Sequence, residues 1–224
     1  MNYDVSIYGH ITKDTVYDNL NKYQSVGAVG NVWDGIIHTD LSLNLNIQAT
    51  SMGEALIMID KKKLQKVTNS HLNLQTRKPK IHNSRWHHIM YLNRLDDVSF
   101  INELSGVISA DITDGDTSNF EYLDKVDYLF LSKKDLNISI DELVSKVKGW
   151  VIIHDVNGSH STNGKESFDV NIDEVITNIN VLGAGDYFAS SFICHRLKEF
   201  EVKESIKFSH NNVSRILKIR NNVL

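Results

Sequence analysis

The chain has 224 residues, of which 41% are hydrophobic and 23% charged, enough apolar length for one domain with a sizeable core. Its net charge of −4, from 24 basic and 28 acidic residues, argues against a protein that binds nucleic acid through bulk charge. A single cysteine, Cys194, excludes an internal disulfide framework and a cysteine-based zinc site.

Tyr3–Tyr8 is an apolar-rich run stopped by Gly9, which predicts a first strand. His10 to Ser25 is a polar stretch with Val16 and Tyr17 inside it. Gly27 to Ile37 predicts a helix, because Val29, Val32, Trp33, Ile36 and Ile37 recur near 3.6 spacing. Leu41–Ile47 alternates apolar and polar residues, the pattern of a half-buried strand. Ala55–Ile59 is a further apolar run. Residues 60–86 are the most basic, with Lys61, Lys62, Lys63, Lys66, Arg77, Lys78, Lys80 and Arg85, and they hold the only proline, Pro79. A solvated excursion at a sheet edge explains them better than a basic flap over polyphosphate.

From His87 the rhythm becomes regular. Strands are predicted over 87–92, 106–110, 127–131 and 150–153. Helices are predicted between them over 98–104, 119–123 and 140–147. Strands alternating with helices at this spacing imply βαβ units and a parallel sheet. Ligands of such sheets bind beyond the carboxyl ends of the strands. Asp111, Ser132 and His154 each follow a strand and so belong to that rim. Two helices, 184–199 and 203–221, close the chain.

Several motifs carry less than they suggest. Gly158 to Glu166 looks like a phosphate-binding loop but has five residues between its glycines and Glu166 in place of the Ser or Thr, so a polar hairpin turn is expected. His87 and His88 are adjacent strand residues that point to opposite faces, so two core-edge histidines are expected rather than a metal pair. Cys194 falls in a helix and reads as a buried structural thiol. There is no secretory signal and no run long enough to span a membrane, so the expected location is the cytoplasm, with neither nucleic acid nor membrane as partner.

Gly183-Ala184-Gly185-Asp186 is the most informative segment. It joins the extended Ile179–Leu182 to a helix. Two glycines allow a tight turn and a close approach to ligand. The helix start offers unpaired N–H groups and the positive end of the dipole, which suits phosphate. Asp186 adds a carboxylate. Taken alone, the segment is matched almost as well by a glycine turn into a helix with an acid in its first turn.

Four segments in order lift it above that. Gly9 to Asp14, Gly27 to Asn31, Ser132-Lys133-Lys134-Asp135 and Asn180 to Asp186 together resemble the motifs of the ribokinase-like (PfkB) family of carbohydrate and nucleoside kinases. The resemblance spans essentially the whole chain. It implies one domain over 1–224, a three-layer α/β/α sandwich with a mostly parallel sheet, and a small β lid from about 12–25 and 41–86. It implies transfer of the γ-phosphoryl group of ATP to a hydroxyl of a sugar or nucleoside, with Mg2+. Asp186 would be the base, and the N–H groups of Gly183, Ala184 and Gly185 the anion hole. Asp14 and Asn31 would hold sugar hydroxyls, with Gly27 allowing close approach. Ser132, Gly158 and Asn180 would lie at the nucleotide, and Asp135 would act through magnesium and water. A homodimer through the lid is also implied. Val26, Ser132, His154, Asn180 and Val181 depart from the family pattern. The last two stand where a monovalent cation would be supported, so none is expected. The same departures motivate a second possibility, a catalytically impaired member that binds sugar or nucleotide to regulate.

Overall fold

In a computed structural model, residues 2–18, 21–62, 65–73, 77–113, 116–172 and 175–222 are described. Lys63 of the basic region lies outside them. Among the described residues, ten strands form one mostly parallel sheet. The chain divides into two compact units.

The first unit is built from residues 1–9, 42–50 and 76–172. It holds the first part of β1 (Tyr3–Asp18) and of β3 (Leu45–Asp60), then β5 (Ser84–Ile89), β6 (Val107–Asp111), β7 (Tyr128–Ser132) and β8 (Trp150–Asp155). Strands β1, β5, β6, β7 and β8 pair in parallel in that order. The hairpin of β9 (Gly158–Thr162) and β10 (Ser167–Asn171) adds two antiparallel strands at the β8 edge. The turn of that hairpin is polar, as expected: Asn163 Oδ1 accepts from the N–H groups of Lys165 and Glu166 at 2.9 and 2.8 Å. The core packs Phe100, Leu123 and Leu143 against the sheet residues Ile108, Leu129, Leu131, Val151 and Ile153. Each such side chain contributes about 1.5–3 kcal/mol by leaving water. The expected helices over 98–104 and 119–123 are 3-10 segments, Ser99–Glu103 and Phe120–Lys125. Helix α2 (Ile140–Lys146) starts where Ser139 Oγ accepts from the Glu142 N–H at 3.1 Å, a cap worth about 1 kcal/mol. His87 and His88 are both fully buried and serve the core. His87 bonds to Tyr8 Oη and the Ser105 carbonyl, His88 to Ser109 Oγ.

The second unit is built from residues 10–41, 51–75 and 173–224. Here β1 continues past Gly9 as far as Asp18, and β2 (Asn21–Ala28) returns antiparallel beside it. Within the polar stretch 10–25 these two strands take residues 10–18 and 21–25. The inward face of β1 here carries His10, Thr12, Asp14, Val16 and Asp18, all buried, so alternation exists but four of its five inward residues are polar. The rest of β3 pairs antiparallel with β4 (Gln65–Asn73), which places a strand in the basic region. The strand expected over 41–47 begins only at Leu45; Leu41 is 80% exposed in the preceding turn, and Asn44 is tied there, its N–H donating to Asp4 Oδ2 at 2.9 Å. Helices α1 (Val29–Thr39), α3 (Ala184–Arg196) and α4 (Val202–Arg220) complete the unit. Residues 186–194 of α3 are buried without exception, so the helix has no polar face for periodicity to reveal. Cys194 lies among them, its thiol pushed up to about 12 by burial.

No helix among the described residues is long and apolar enough to cross a membrane.

Candidate active site

The second unit brings most of the expected site residues together. α3 starts at Ala184, capped by Gly183 in the left-handed conformation (φ 80°, ψ 4°). The Tyr187 N–H donates to the Gly183 carbonyl at 2.8 Å, the first bond of the helix ladder. The N–H groups of residues 183–186 are therefore beyond the reach of any intrahelical carbonyl. One is spent: the Ala184 N–H donates to the Val181 carbonyl at 3.0 Å. Among the described residues, no backbone carbonyl takes those of Gly183 and Gly185, the other two N–H groups of the expected anion hole.

Asp186 sits in the first turn and is 5% exposed. Asn31, from the first turn of α1, donates from Nδ2 to Asp186 Oδ2 at 2.7 Å. A charge-assisted bond of this length fixes the carboxylate in rotamer and orientation. Gly183 lies over the same asparagine: a Cβ there would stand 3.4 Å from Asn31 Cγ. Asn31, Gly183 and Asp186 therefore form one cluster, although about 150 residues separate the first from the others (|i−j| = 155 for the hydrogen-bonded pair). The structure gives Asn31 a contact to the expected base itself.

Asp14 is 3% exposed and lies on the inward face of the β1–β2 hairpin. Gly27 pairs with Thr12 on that hairpin. A Cβ at Gly27 would meet Asp14 Oδ2 at 2.2 Å and Thr12 Oγ1 at 2.4 Å. The space at Gly27 is thus filled by the Asp14 carboxylate and the Thr12 hydroxyl, two groups that hydrogen-bond hydroxyls. Thr12 has no counterpart among the sequence expectations. One residue on, Ala28 caps α1 with φ 52° and ψ −117°, a conformation that suits glycine and strains alanine.

Asn180 anchors the segment before the cradle. Its Nδ2 donates to Tyr23 Oη at 2.7 Å, and its Oδ1 accepts from the Leu182 N–H at 2.9 Å. Its backbone exchanges bonds with the Asn221 side chain at 2.8 and 3.2 Å. Leu182 packs with Val16, Ala55, Ile57 and Ile59 of the two hairpins. Arg220, near the end of α4, donates to the Leu182 carbonyl at 2.9 Å and to Tyr187 Oη at 2.8 Å. The Tyr187 hydroxyl in turn donates to Asp34 at 2.8 Å, and burial raises its pKa. Tyr23, Arg220 and Asn221 were not foreseen: nothing local in the sequence couples them to the cradle.

The remaining expected residues lie in the first unit. Ser132 ends β7, and Asp135 closes the 3-10 turn Lys133–Asp135 that follows it. His154, in β8, is pushed down to about 4 by burial, against the carboxylates of Asp111 and Asp155 that favour its charged form. Gly158 opens β9 at φ 145°; a Cβ there would stand 2.1 Å from the Val170 carbonyl oxygen, so β10 alone demands the glycine. Among the described residues no three His, Cys, Asp or Glu side chains converge as a metal cage. A magnesium ion that arrives with phosphates needs only one or two carboxylates, which a rim residue such as Asp135 can supply.

No family model and no curated protein matches the chain in sequence. Solved structures do match. Adenosine kinase from Sinorhizobium meliloti aligns with a TM-score of 0.74 and 13% identity, over 96% of this chain and 94% of that one. The nucleoside kinase of Methanocaldococcus jannaschii, an archaeal member of the ribokinase family, aligns at 0.71 with 15% identity, over 96% and 92%. An Escherichia coli chain assigned as ribokinase II, solved with ATP and Mg2+, aligns at 0.66 with 14% identity, over 93% and 90%. At such identities the likeness is one of architecture, and on it the chain has the ribokinase-like α/β fold.

Proposed function

We propose that this chain is a ribokinase-like phosphotransferase that moves the γ-phosphoryl group of ATP to a hydroxyl of a sugar or nucleoside. The observation that carries the reading is the Asp186 carboxylate at the start of α3, held at 2.7 Å by Asn31 beside the left-handed Gly183. In the transfer, an acceptor oxygen bonds to phosphorus, the bridging bond to ADP breaks, and Asp186 takes the hydroxyl proton. The N–H groups of Gly183 and Gly185 and the positive end of α3 stabilise charge on the equatorial oxygens. Asn31 keeps the carboxylate aimed, and Asp14 with Thr12 receives acceptor hydroxyls. Magnesium bound with the nucleotide would neutralise charge on its β- and γ-phosphates, and Asp135 would hold it through water. Ser132, Gly158 and Asn180 complete the nucleotide side of this reading. The β1–β2 and β3–β4 hairpins serve as the lid, and the exposed Met52, Leu56 and Met58 of β3 give a second copy an apolar strip to pair with. The reading places the protein in the cytoplasm.

The test is turnover of Mg-ATP against a panel of sugars and nucleosides, with Asp186→Asn as control. Loss of the base should cost about 10²–10⁴-fold in kcat. Equal turnover by wild type and variant overturns the reading. One observation favours a second possibility, a binding protein without turnover: the Ala184 N–H is already spent on Val181. Calorimetry that finds nucleotide and acceptor bound, with no transfer at saturation, would establish it.

A further inference from the structure

Asp18 is 7% exposed, yet it ends an inward face that otherwise leads to the acceptor groups. Its Oδ2 is held by Lys61 Nζ at 2.9 Å and lies 3.5 Å from Asn180 Nδ2. Its Oδ1 is buried with no hydrogen-bond partner among the described residues. A buried carboxylate with few neutral donors depends on the positive charge of its cation partner. Lys61 supplies that charge, and it follows directly on β3, on the turn toward β4. Asn180 is the other end of the link. The same amide nitrogen that faces Asp18 donates to Tyr23, while its oxygen holds the Leu182 N–H one residue before Gly183. A continuous path therefore runs from the β3–β4 turn, through Lys61 and Asp18, to the backbone of the cradle.

We infer that Asp18 is a positioning residue: with Lys61 clamped on it, it orients the Asn180 amide and so sets the placement of the Gly183–Asp186 turn. The inference rests on the phosphotransferase reading for its kinetic consequence, not for its geometry. Lys61 arrives with one hairpin, and Asp18 and Tyr23 with the other. The cradle is therefore in register only when both hairpins are seated. A cradle displaced by about 1 Å costs on the order of 10²-fold in rate.

Lys61→Met, Lys61→Arg and Tyr23→Phe provide the test, with two readouts. Amide hydrogen exchange over 178–187, measured without any ligand, should quicken about tenfold or more in Lys61→Met, less in Tyr23→Phe, and return to the wild-type rate in Lys61→Arg. With an acceptor that the wild type phosphorylates, kcat should fall about 10–10²-fold in Lys61→Met while the acceptor KM changes less than about threefold, and Lys61→Arg should restore kcat. Wild-type exchange in a folded Lys61→Met protein overturns the inference, as does an Arg variant no better than Met. The exchange measurement stands whether or not the chain transfers phosphate. Asp186→Asn, which leaves the clamp intact, should lower kcat about 10²–10⁴-fold with exchange over 178–187 unchanged, so the two readings fail separately.

Discussion

Gly27→Ala probes the proposed acceptor side of the site with one methyl group. Its Cβ would stand 2.2 Å from Asp14 Oδ2, 2.7 Å from Asp14 Oδ1 and 2.4 Å from Thr12 Oγ1. Ordinary carbon–oxygen contact is longer by about 1 Å. Asp14 is a short side chain on a paired strand, 3% exposed, and has little room to withdraw. Overpacking of this kind costs about 1–3 kcal/mol, offset by about 0.4–1 kcal/mol because alanine restricts the unfolded chain. The net loss of about 1–2 kcal/mol should lower Tm by about 2–8 °C in a chain of this size. The functional effect is separate. If Asp14 is displaced, charge-assisted bonds to the acceptor worth about 1.5–3 kcal/mol are lost, which raises the acceptor KM about 10–150-fold. The donor KM should not move. Differential scanning calorimetry and steady-state kinetics with each substrate varied measure both effects. A variant with unchanged Tm and unchanged acceptor KM would refute the assignment of Asp14 and the reason given for Gly27.

Ala28→Gly should do the reverse for stability. The native φ of 52° with ψ of −117° suits glycine, so relief of strain should outweigh the added freedom of the unfolded chain by about 1 kcal/mol. Urea midpoints measure it, and a destabilised variant would show that the alanine conformation is unstrained. His154 gives a pH dependence. Its folded pKa, about 4, lies below the ordinary histidine value, so the unfolded chain binds the extra proton between about pH 4 and 6.5. The stability of the fold therefore falls as pH drops through that window, by at most about 3 kcal/mol from this residue. His154→Asn should flatten the urea midpoint between pH 6.5 and 4.5 relative to wild type; parallel curves would overturn the assignment.

Strands β6, β7 and β8 were legible because each is an apolar run, and such runs recurring between helical segments mark a parallel sheet. The β1–β2 and β3–β4 hairpins were not legible from the residue pattern; only the resemblance implied β structure there. Thr12, Asp14 and Asp18 fill the inward face of β1, so a pattern that normally betrays a strand through hydrophobic alternation shows polar residues on both sides. The polarity of that face is what hid it. α3 was found from its glycine start and not from its body, whose buried Ser190 and Ser191 bond back to the carbonyls of Asp186 and Tyr187. The Asn31–Asp186 contact was within reach of the motif order, since both residues were singled out. Lys61, Tyr23 and Arg220 were not, because their partners are set by tertiary packing with no local signature.

Cys194 gives the helix that carries Asp186 a built-in reporter. It is the chain's only cysteine, buried in α3 two turns beyond the carboxylate, with a thiol too weakly acidic to react while enclosed. A thiol-reactive reagent therefore modifies the protein only when α3 opens, and its rate counts those openings without an introduced label. Any ligand that settles on the N-terminus of α3 should slow the modification, which turns a silent structural thiol into a binding assay for that end of the helix.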